Sequence, residues 1–411
     1  MIYHPSLTVF HLKEFRHYTL LRFFVTIGLL MQSVLLSWHV YVLSKDPWAI
    51  GVLGLSEAIP MILFSLFGGY YADRSDKRKI LIYCLLGFLI CTMAFMFLVS
   101  TWAVQNMPIK FIVFGIYFFV GVGGILRSFS GATSFSIIHQ MVPPTLLKSA
   151  TTWVSSIWQA GAILGPILAG IFYAYSGPFF SFLFTFIFIF IGFIQLFGIA
   201  PKSVSFVPKD ETVFQSLKDG LHFVFKHQII LGALSLDLFA VLFGGAVAML
   251  PLYADQILMV GPEGLGWLRA APGIGAILTL SFLSIRPMQS KHGPKLLWAV
   301  AGFGIFTILF AISKHCYWSM FCLFMTGALD AVSVMVRSVI LQLKTPDHMR
   351  GRVASVNNIF IGSSNEIGMA ESGAAAKLMG LVPSVIFGGV MTLIVVIVTS
   401  IKAKSLRKLE L

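Results

Sequence analysis

Along most of the chain, apolar residues continue for twenty or more positions without the regular polar return that marks a soluble amphipathic helix. Such stretches occupy 18–43, 48–72, 79–103, 109–138, 146–175, 178–200, 228–254, 265–285, 294–313, 316–343, 353–379 and 381–401. A helix needs about 20 residues to cross the hydrocarbon core of a bilayer. The pattern therefore predicts an all-α polytopic membrane protein of twelve transmembrane helices. The longest polar interruption, Pro201 to Gln228, sits between the sixth and seventh stretches. It divides the chain into an N-terminal six-helix bundle (1–200), a cytoplasmic linker (201–227) and a C-terminal six-helix bundle (228–411). Within the linker, Phe214, Leu217, Leu221 and Phe225 recur at helical spacing. That stripe fits a linker helix or an amphipathic helix lying on the inner membrane surface.

Composition removes the soluble alternatives. Hydrophobic residues make up 57% of the chain and charged residues 11%, against about 25% charged in a soluble domain. The first span follows the polar segment Lys13, Glu14, Arg16 and His17 and leads at once into another, so it does not read as a cleaved signal peptide. The net charge of +13 reflects topology. With the N-terminus inside, 21 of the 29 Lys and Arg residues fall in cytoplasmic segments, and only Lys45, Lys110, Lys314 and Lys377 fall on the opposite side. The positive-inside rule then puts both termini in the cytoplasm of a multi-pass protein of a bacterial inner membrane. No nucleic-acid partner is expected. Cys84, Cys91, Cys316 and Cys322 lie in or beside apolar spans without a CxxC spacing, and no HExxH or Cys/His cluster occurs. Neither a metal, nor a cofactor, nor a catalytic set is expected, and the protein does not read as an enzyme.

The two halves echo one another. A shift of 203 residues superposes Pro143 on Pro346, Gly165 on Gly368 and Gly170 on Gly373, as expected of transporters built from repeated halves.

After the second span the chain reads Gly68-Gly69-Tyr70-Tyr71-Ala72-Asp73-Arg74-Ser75-Asp76-Lys77-Arg78-Lys79. This resembles the loop signature of the major facilitator superfamily, G-x-L-A-D-R-x-G-R-K. Tyr71 stands at its leucine and Asp76 at its second glycine. The resemblance implies the major facilitator fold, two pseudo-symmetric six-helix bundles, with Gly69, Asp73, Arg74 and Arg78 acting in a cytoplasmic gate that latches the halves. The alternative is that the loop carries topogenic charge only.

Further motifs lie within the spans. The fourth span holds Arg127 in Gly121-Val-Gly123-Gly124-Ile-Leu-Arg127. An unpaired charge there costs about 3 kcal/mol or more, so it should meet an acid or a wet cavity. Its surroundings resemble the span-four signature of drug:proton antiporters, where such an arginine is tied to proton transfer; a structural pair with Glu57 or another acid is the other reading. The fifth span carries Gly161-Ala-Ile-Leu-Gly165-Pro166-Ile-Leu-Ala-Gly170, similar to the antiporter form G-x-x-x-G-P-x-x-x-G. Gly161, Gly165, Pro166 and Gly170 would form a packing face and hinge, with Pro166 kinking the helix. Asp330 and Arg337 lie seven residues apart on the tenth span, where they either pair or serve coupling. The run Pro346-Asp-His-Met-Arg350-Gly-Arg352-Val and the later Ser364-Asn365-Glu366 are similar to the branch with macrolide-efflux and siderophore-export permeases.

Acids in spans are natural coupling groups. Glu57, Asp237, Glu366 and Glu371 show no cation on their own helical face, and with Arg127, Asp330 and Arg337 they form the candidate proton-coupling or substrate set. The expected function is proton-coupled export of an amphipathic small molecule, drug- or siderophore-like, by alternating access. Its partners would be the substrate, protons and the lipid bilayer, and a monomer is expected. Uptake by proton symport of an iron chelate or nutrient fits the same architecture, and a non-transporting membrane receptor is the reading from another class. The Phe-rich stretch Phe179–Phe193 reads as lipid-facing.

Overall fold

A computed structural model describes residues 5–202, 213–286, 288, 291–346, 349–407 and 409. Among them there is no strand. The long helices are α1 (Lys13–Ser44), α2 (Pro47–Arg74), α3 (Lys77–Leu98), α4 (Ile109–Met141), α5 (Leu147–Gln195), α6 (Val213–Lys226), α7 (Gln228–Phe243), α8 (Gly261–Ile285), α9 (His292–Ala311), α10 (Cys316–Lys344), α11 (Arg350–Met379) and α12 (Leu381–Lys402).

Nine helices among the described residues are long and apolar enough to cross a membrane, or ten if Lys218–Lys226 and Gln228–Phe243, bent by 104°, count as one span. Twelve crossings are compatible with this set. The apolar segment Pro144–Gly198, 55 residues long, is long enough for two crossings, and its one non-helical residue is Gly177 (φ 75°, ψ 175°), between the fifth and sixth predicted stretches. Those angles belong to a region that is nearly glycine-only. Helix α11 has the length of a span but too many polar residues to be counted among the apolar ones.

The predicted seventh span, 228–254, is not one helix. Regular structure stops at Phe243, and Gly244–Met249 forms turns before a short helix, Leu250–Leu252, and a π-helical turn, Tyr253–Ile257. The turn amides are satisfied locally, with Ala246 N–H donating to Gly244 O (2.7 Å) and Ala248 N–H to Gly245 O (3.0 Å). Backbone at membrane depth tolerates such a break only when its polar groups find partners inside the protein.

Contacts divide the chain into two units, Met1–Lys45 with Ser56–Pro208, and Asp46–Leu55 with Lys209–Leu411. In the first unit α1 is nested between the two arms of α5. A Cβ on Gly161 or Gly165 would meet Thr26 Cγ2 at 2.6 Å or Leu30 Cβ at 2.9 Å, and one on Gly192 would meet Val25 Cγ2 at 2.5 Å. Small residues here replace volume with backbone proximity, the usual route to tight helix contacts in lipid. The Phe-rich arm is divided between core and surface. Phe182 is fully buried against Phe95, and Phe180 and Phe190 face outward.

In the second unit α8 and α10 touch through their backbones, since a Cβ on Gly275 would lie 2.0 Å from Phe324 O and one on Gly327 the same distance from Pro272 O. Helix α6 docks on α11. Val224 is fully buried with Val353 and Val356, Leu221 packs beside them, and Arg352 pairs with Asp219 at 3.2 Å. This interface covers the Leu221 part of the predicted apolar stripe with protein. Phe225 points outward, and Phe214 and Leu217 fall outside the residues whose side chains are described. The Gly165–Gly368 echo has a structural counterpart. A Cβ on Gly165 would lie 3.1 Å from Ile27 O on α1, and one on Gly368 would lie 2.9 Å from Leu242 O on α7.

Candidate functional site

The charged residues within the spans fall into separate constellations, each inside one unit. In the first unit, Arg127 on α4 donates to Glu57 on α2, with Nη1 to Oε1 at 2.6 Å. The glycines before Arg127 make the pair possible. A Cβ on Gly124 would sit 2.4 Å from Glu57 O, and one on Gly121 3.2 Å from Ser56 O, so any larger side chain would push α4 off α2. Glu57 exposes 19% and Arg127 38% of its side chain, so the pair remains partly open. His39 on α1, which the sequence reading did not single out, is buried and shares a proton with the Tyr173 hydroxyl through Nδ1 (2.9 Å).

In the second unit Asp330 and Arg337, for which the sequence left pairing or coupling open, do not pair. Arg337 instead pairs with Asp237 on α7, and the two side chains are 4% and 10% exposed. Residues i and i+7 share a face but stand about 10 Å apart along a helix, whereas the α7 carboxylate lies directly opposite. Asp330 and Asp237 both line a narrow cavity with Ser333, Phe303 and Leu329. Its free space, about 10 Å³, is room for one water at most. Glu366 on α11 acts electrostatically on Arg269 of α8, a cation outside the predicted set. Glu371 neighbours Ser372, whose hydroxyl donates to Oε2 at 3.4 Å. The break after α7 lies against this part of α11, since a Cβ on Gly245 would overlap Ser372 Oγ.

Where α2 gives way to α3, Gly69 and Asp73 fall outside the residues whose side chains are described, and Arg74 is exposed. Arg78 bonds within its own unit, Nε to Leu196 O at 3.1 Å. Asp76, the departure from the family signature, caps α3 by accepting from Arg78 N–H (3.0 Å) and also accepts from Lys202 N–H (3.3 Å). Glu14 accepts from Ala200 N–H (3.0 Å) and pairs with Lys202 Nζ. A glycine at position 76 could accept neither the Arg78 nor the Lys202 N–H. The substitution turns a flexible turn into a clamp on the chain leaving the sixth span.

Gly161, Gly165, Pro166 and Gly170 are all buried. Pro166 lies within helical backbone, and the one non-helical residue of α5 is Gly177. Outside the spans, Asp46 pairs with Lys377 at 2.8 Å within the second unit. The hydrogen bond from Lys377 holds the Asp46 carboxyl below its ordinary range, helped by the Trp48 N–H and opposed by partial burial. Beneath this pair, Gly51 and Gly54 bring the start of α2 onto Ala370 and Met369 of α11.

The chain is a polytopic helical membrane protein of the major facilitator class of transporters, as its match to a family profile of that class shows. More narrowly, the chain belongs to the transmembrane secretion effector family, whose sequence profile matches residues 5–410. It is similar to the enterobactin exporter EntS of Shigella flexneri and of Escherichia coli O127:H6, each 22% identical over 401 residues, covering 96% of this chain and 92% of the exporter. In fold it is similar to a POT family transporter solved with 5-aminolevulinic acid (TM-score 0.75, 12% identity, 95% of this chain and 96% of that one). It is also similar to a bacterial homologue of the iron transporter ferroportin in an inward-facing state (TM-score 0.73, 12% identity, 97% of this chain and 99% of that one).

Proposed function

We propose that this protein exports an amphipathic, siderophore-like molecule across a bacterial inner membrane by alternating access, driven by proton exchange. In this reading residues 1–200 and 228–411 are the two moving halves of a monomer, both termini are cytoplasmic, and the loop around Asp73 and Arg74 belongs to the cytoplasmic gate.

The observation that carries the reading is the pair of membrane-embedded ionic contacts, Glu57–Arg127 and Asp237–Arg337, one in each unit. Buried ion pairs contribute little net stability compared with apolar packing. Charges kept at such depth are a mark of ion or substrate pathways. Glu57, Asp237, Asp330, Glu366 and Glu371 are the acids available to exchange a proton. Export as the direction is supported by the names of the full-length relatives and of the family.

Everted membrane vesicles energised to an acidic interior test this directly. Addition of enterobactin should dissipate the imposed proton gradient and load the vesicles, and Arg127→Ala or Asp237→Asn should abolish both effects. Loading that needs no gradient, or a gradient response equal in the variants, would overturn proton coupling. Loss of the gene should raise intracellular substrate; a fall would reverse the direction and leave uptake symport.

A further inference from the structure

We propose that Arg269 is the specificity-determining residue of the second unit and that it binds an acidic group of the transported molecule, with Glu366 as its counter-charge when the site is empty of substrate. This deepens the transport reading above and rests on it.

Arg269 lies in the membrane-spanning part of α8. Its Nε is buried and has no hydrogen-bond partner among the described residues. The embedded arginines 127 and 337 each hold a carboxylate directly. Arg269 makes no such pair among the described residues, and the carboxylate that acts on it is that of Glu366. An arginine cannot escape its charge by losing a proton inside a protein, and its planar fork matches carboxylate-like groups in two parallel hydrogen bonds. A guanidinium held at depth with donor capacity to spare is therefore equipped to receive an anion.

The scaffold holds the two charges in place independently. Helix α8 is locked to α10 through the backbone contacts of Pro272 and Gly275, one to two turns beyond Arg269. Helix α11 packs along α7 and α12, with Gly368, two residues beyond Glu366, against Leu242 O. Each helix is thus held by its own neighbours, so that each of the two charges sits on a supported element, as a selective site requires. The polar run on α11, with Ser364, Asn365 and Glu366 in sequence, gives that side of the site a wettable wall.

The test compares a matched pair of probes, a dihydroxybenzoyl amino acid and its methyl ester, which differ in one carboxylate. Everted vesicles containing the full chain should take up both. Arg269→Gln should lower uptake of the acid by about tenfold or more, the scale of a lost charge-assisted hydrogen bond, and change uptake of the ester by less than about twofold. Arg269→Lys keeps the charge without the fork and should fall between them. Equal losses for acid and ester, or no loss for either, would overturn the assignment.

If the unmodified protein takes up neither probe, the transport reading fails for this chemistry, and binding to the purified protein then decides the site. The acid should raise the thermal midpoint of the unmodified protein and not of Arg269→Gln, with the ester as control. An equal shift in both proteins would overturn the proposal. A variant that elutes as aggregate is replaced by Arg269→Lys, whose acid-to-ester ratio must still drop.

Discussion

The Asp237–Arg337 pair permits a quantitative test because the structure supplies its own control. Asp237 and Asp330 line the same cavity, yet among the described residues only Asp237 holds an ion pair. Asp237→Asn preserves shape and removes the countercharge of an arginine that is 4% exposed. Breaking one side of a buried pair typically costs about 3–5 kcal/mol, because the remaining charge is left uncompensated. Asp330→Asn makes the same chemical change without breaking a pair, and its expected cost is below about 1 kcal/mol. Arg337→Met should be less damaging than Asp237→Asn, since an orphaned carboxyl can be neutralised by a proton and an orphaned guanidinium cannot. Removing both partners in Asp237→Asn/Arg337→Met should recover most of the loss, giving a coupling energy of about 2 kcal/mol or more. Reversible unfolding of the purified protein in mixed detergent micelles, read by tryptophan fluorescence, measures all four variants. Equal costs for Asp237→Asn and Asp330→Asn, or a double variant as unstable as the sum of its singles, would refute the reasoning.

Other variants probe the packing and the surface. Gly275→Ala places a methyl 2.0 Å from the Phe324 carbonyl and should cost about 1–3 kcal/mol by forcing α8 from α10, seen as a lower unfolding midpoint. Gly177→Ala meets no neighbour but must adopt φ 75°; a loss of about 1–3 kcal/mol is expected from backbone strain alone. Val224→Asp puts an acid at a fully buried position between α6 and α11 and should release α6, so that mild trypsin cuts at Lys218 and Lys226 far faster than in the unmodified protein. For the Asp46–Lys377 pair the folded carboxyl titrates lower than the unfolded one. Its stabilisation is therefore complete above the ordinary value of 3.8 and is lost as the pH falls through the depressed one. Because Asp46 is 37% exposed, Lys377→Ala should cost under about 1 kcal/mol. That cost should be the same at pH 6 and pH 8 and fade below 3.8.

Much of the architecture is legible in the hydropathy of the chain because a bilayer imposes one rule on every residue of a span. The break at Gly177 appears in the sequence as the seam between 146–175 and 178–200. The break after Phe243 does not, because Gly244-Gly245-Ala246-Val247-Ala248 is as apolar as a helix and hydropathy is blind to backbone direction. Glu57 could be named as a partner for Arg127, and the structure forms that pair. The partner of Arg337 could not, since a single helix shows only its own neighbours and Asp237 is 100 residues away. Nothing in the sequence distinguishes Arg269 from the other basic residues near span ends, and only burial reveals its spare donor. The exchange of glycine for Asp76 was visible, but its role as a cap and clamp required the positions of Arg78 and Lys202.

The nesting of α1 between the arms of α5 has a consequence for how the protein is made. The first span leaves the ribosome long before its seat exists, because Gly161, Gly165 and Gly192 are all synthesised later. His39 reaches its hydroxyl partner only when Tyr173 has been added, 134 residues on. Until then α1 waits in lipid with its imidazole unpartnered and the face carrying Val25, Thr26 and Leu30 unpacked, a state in which premature termination or a slow ribosome exposes it to membrane quality control. The assembly step at which the N-terminal unit becomes resistant to degradation should therefore coincide with insertion of residues 147–195, well after the first span has entered the bilayer.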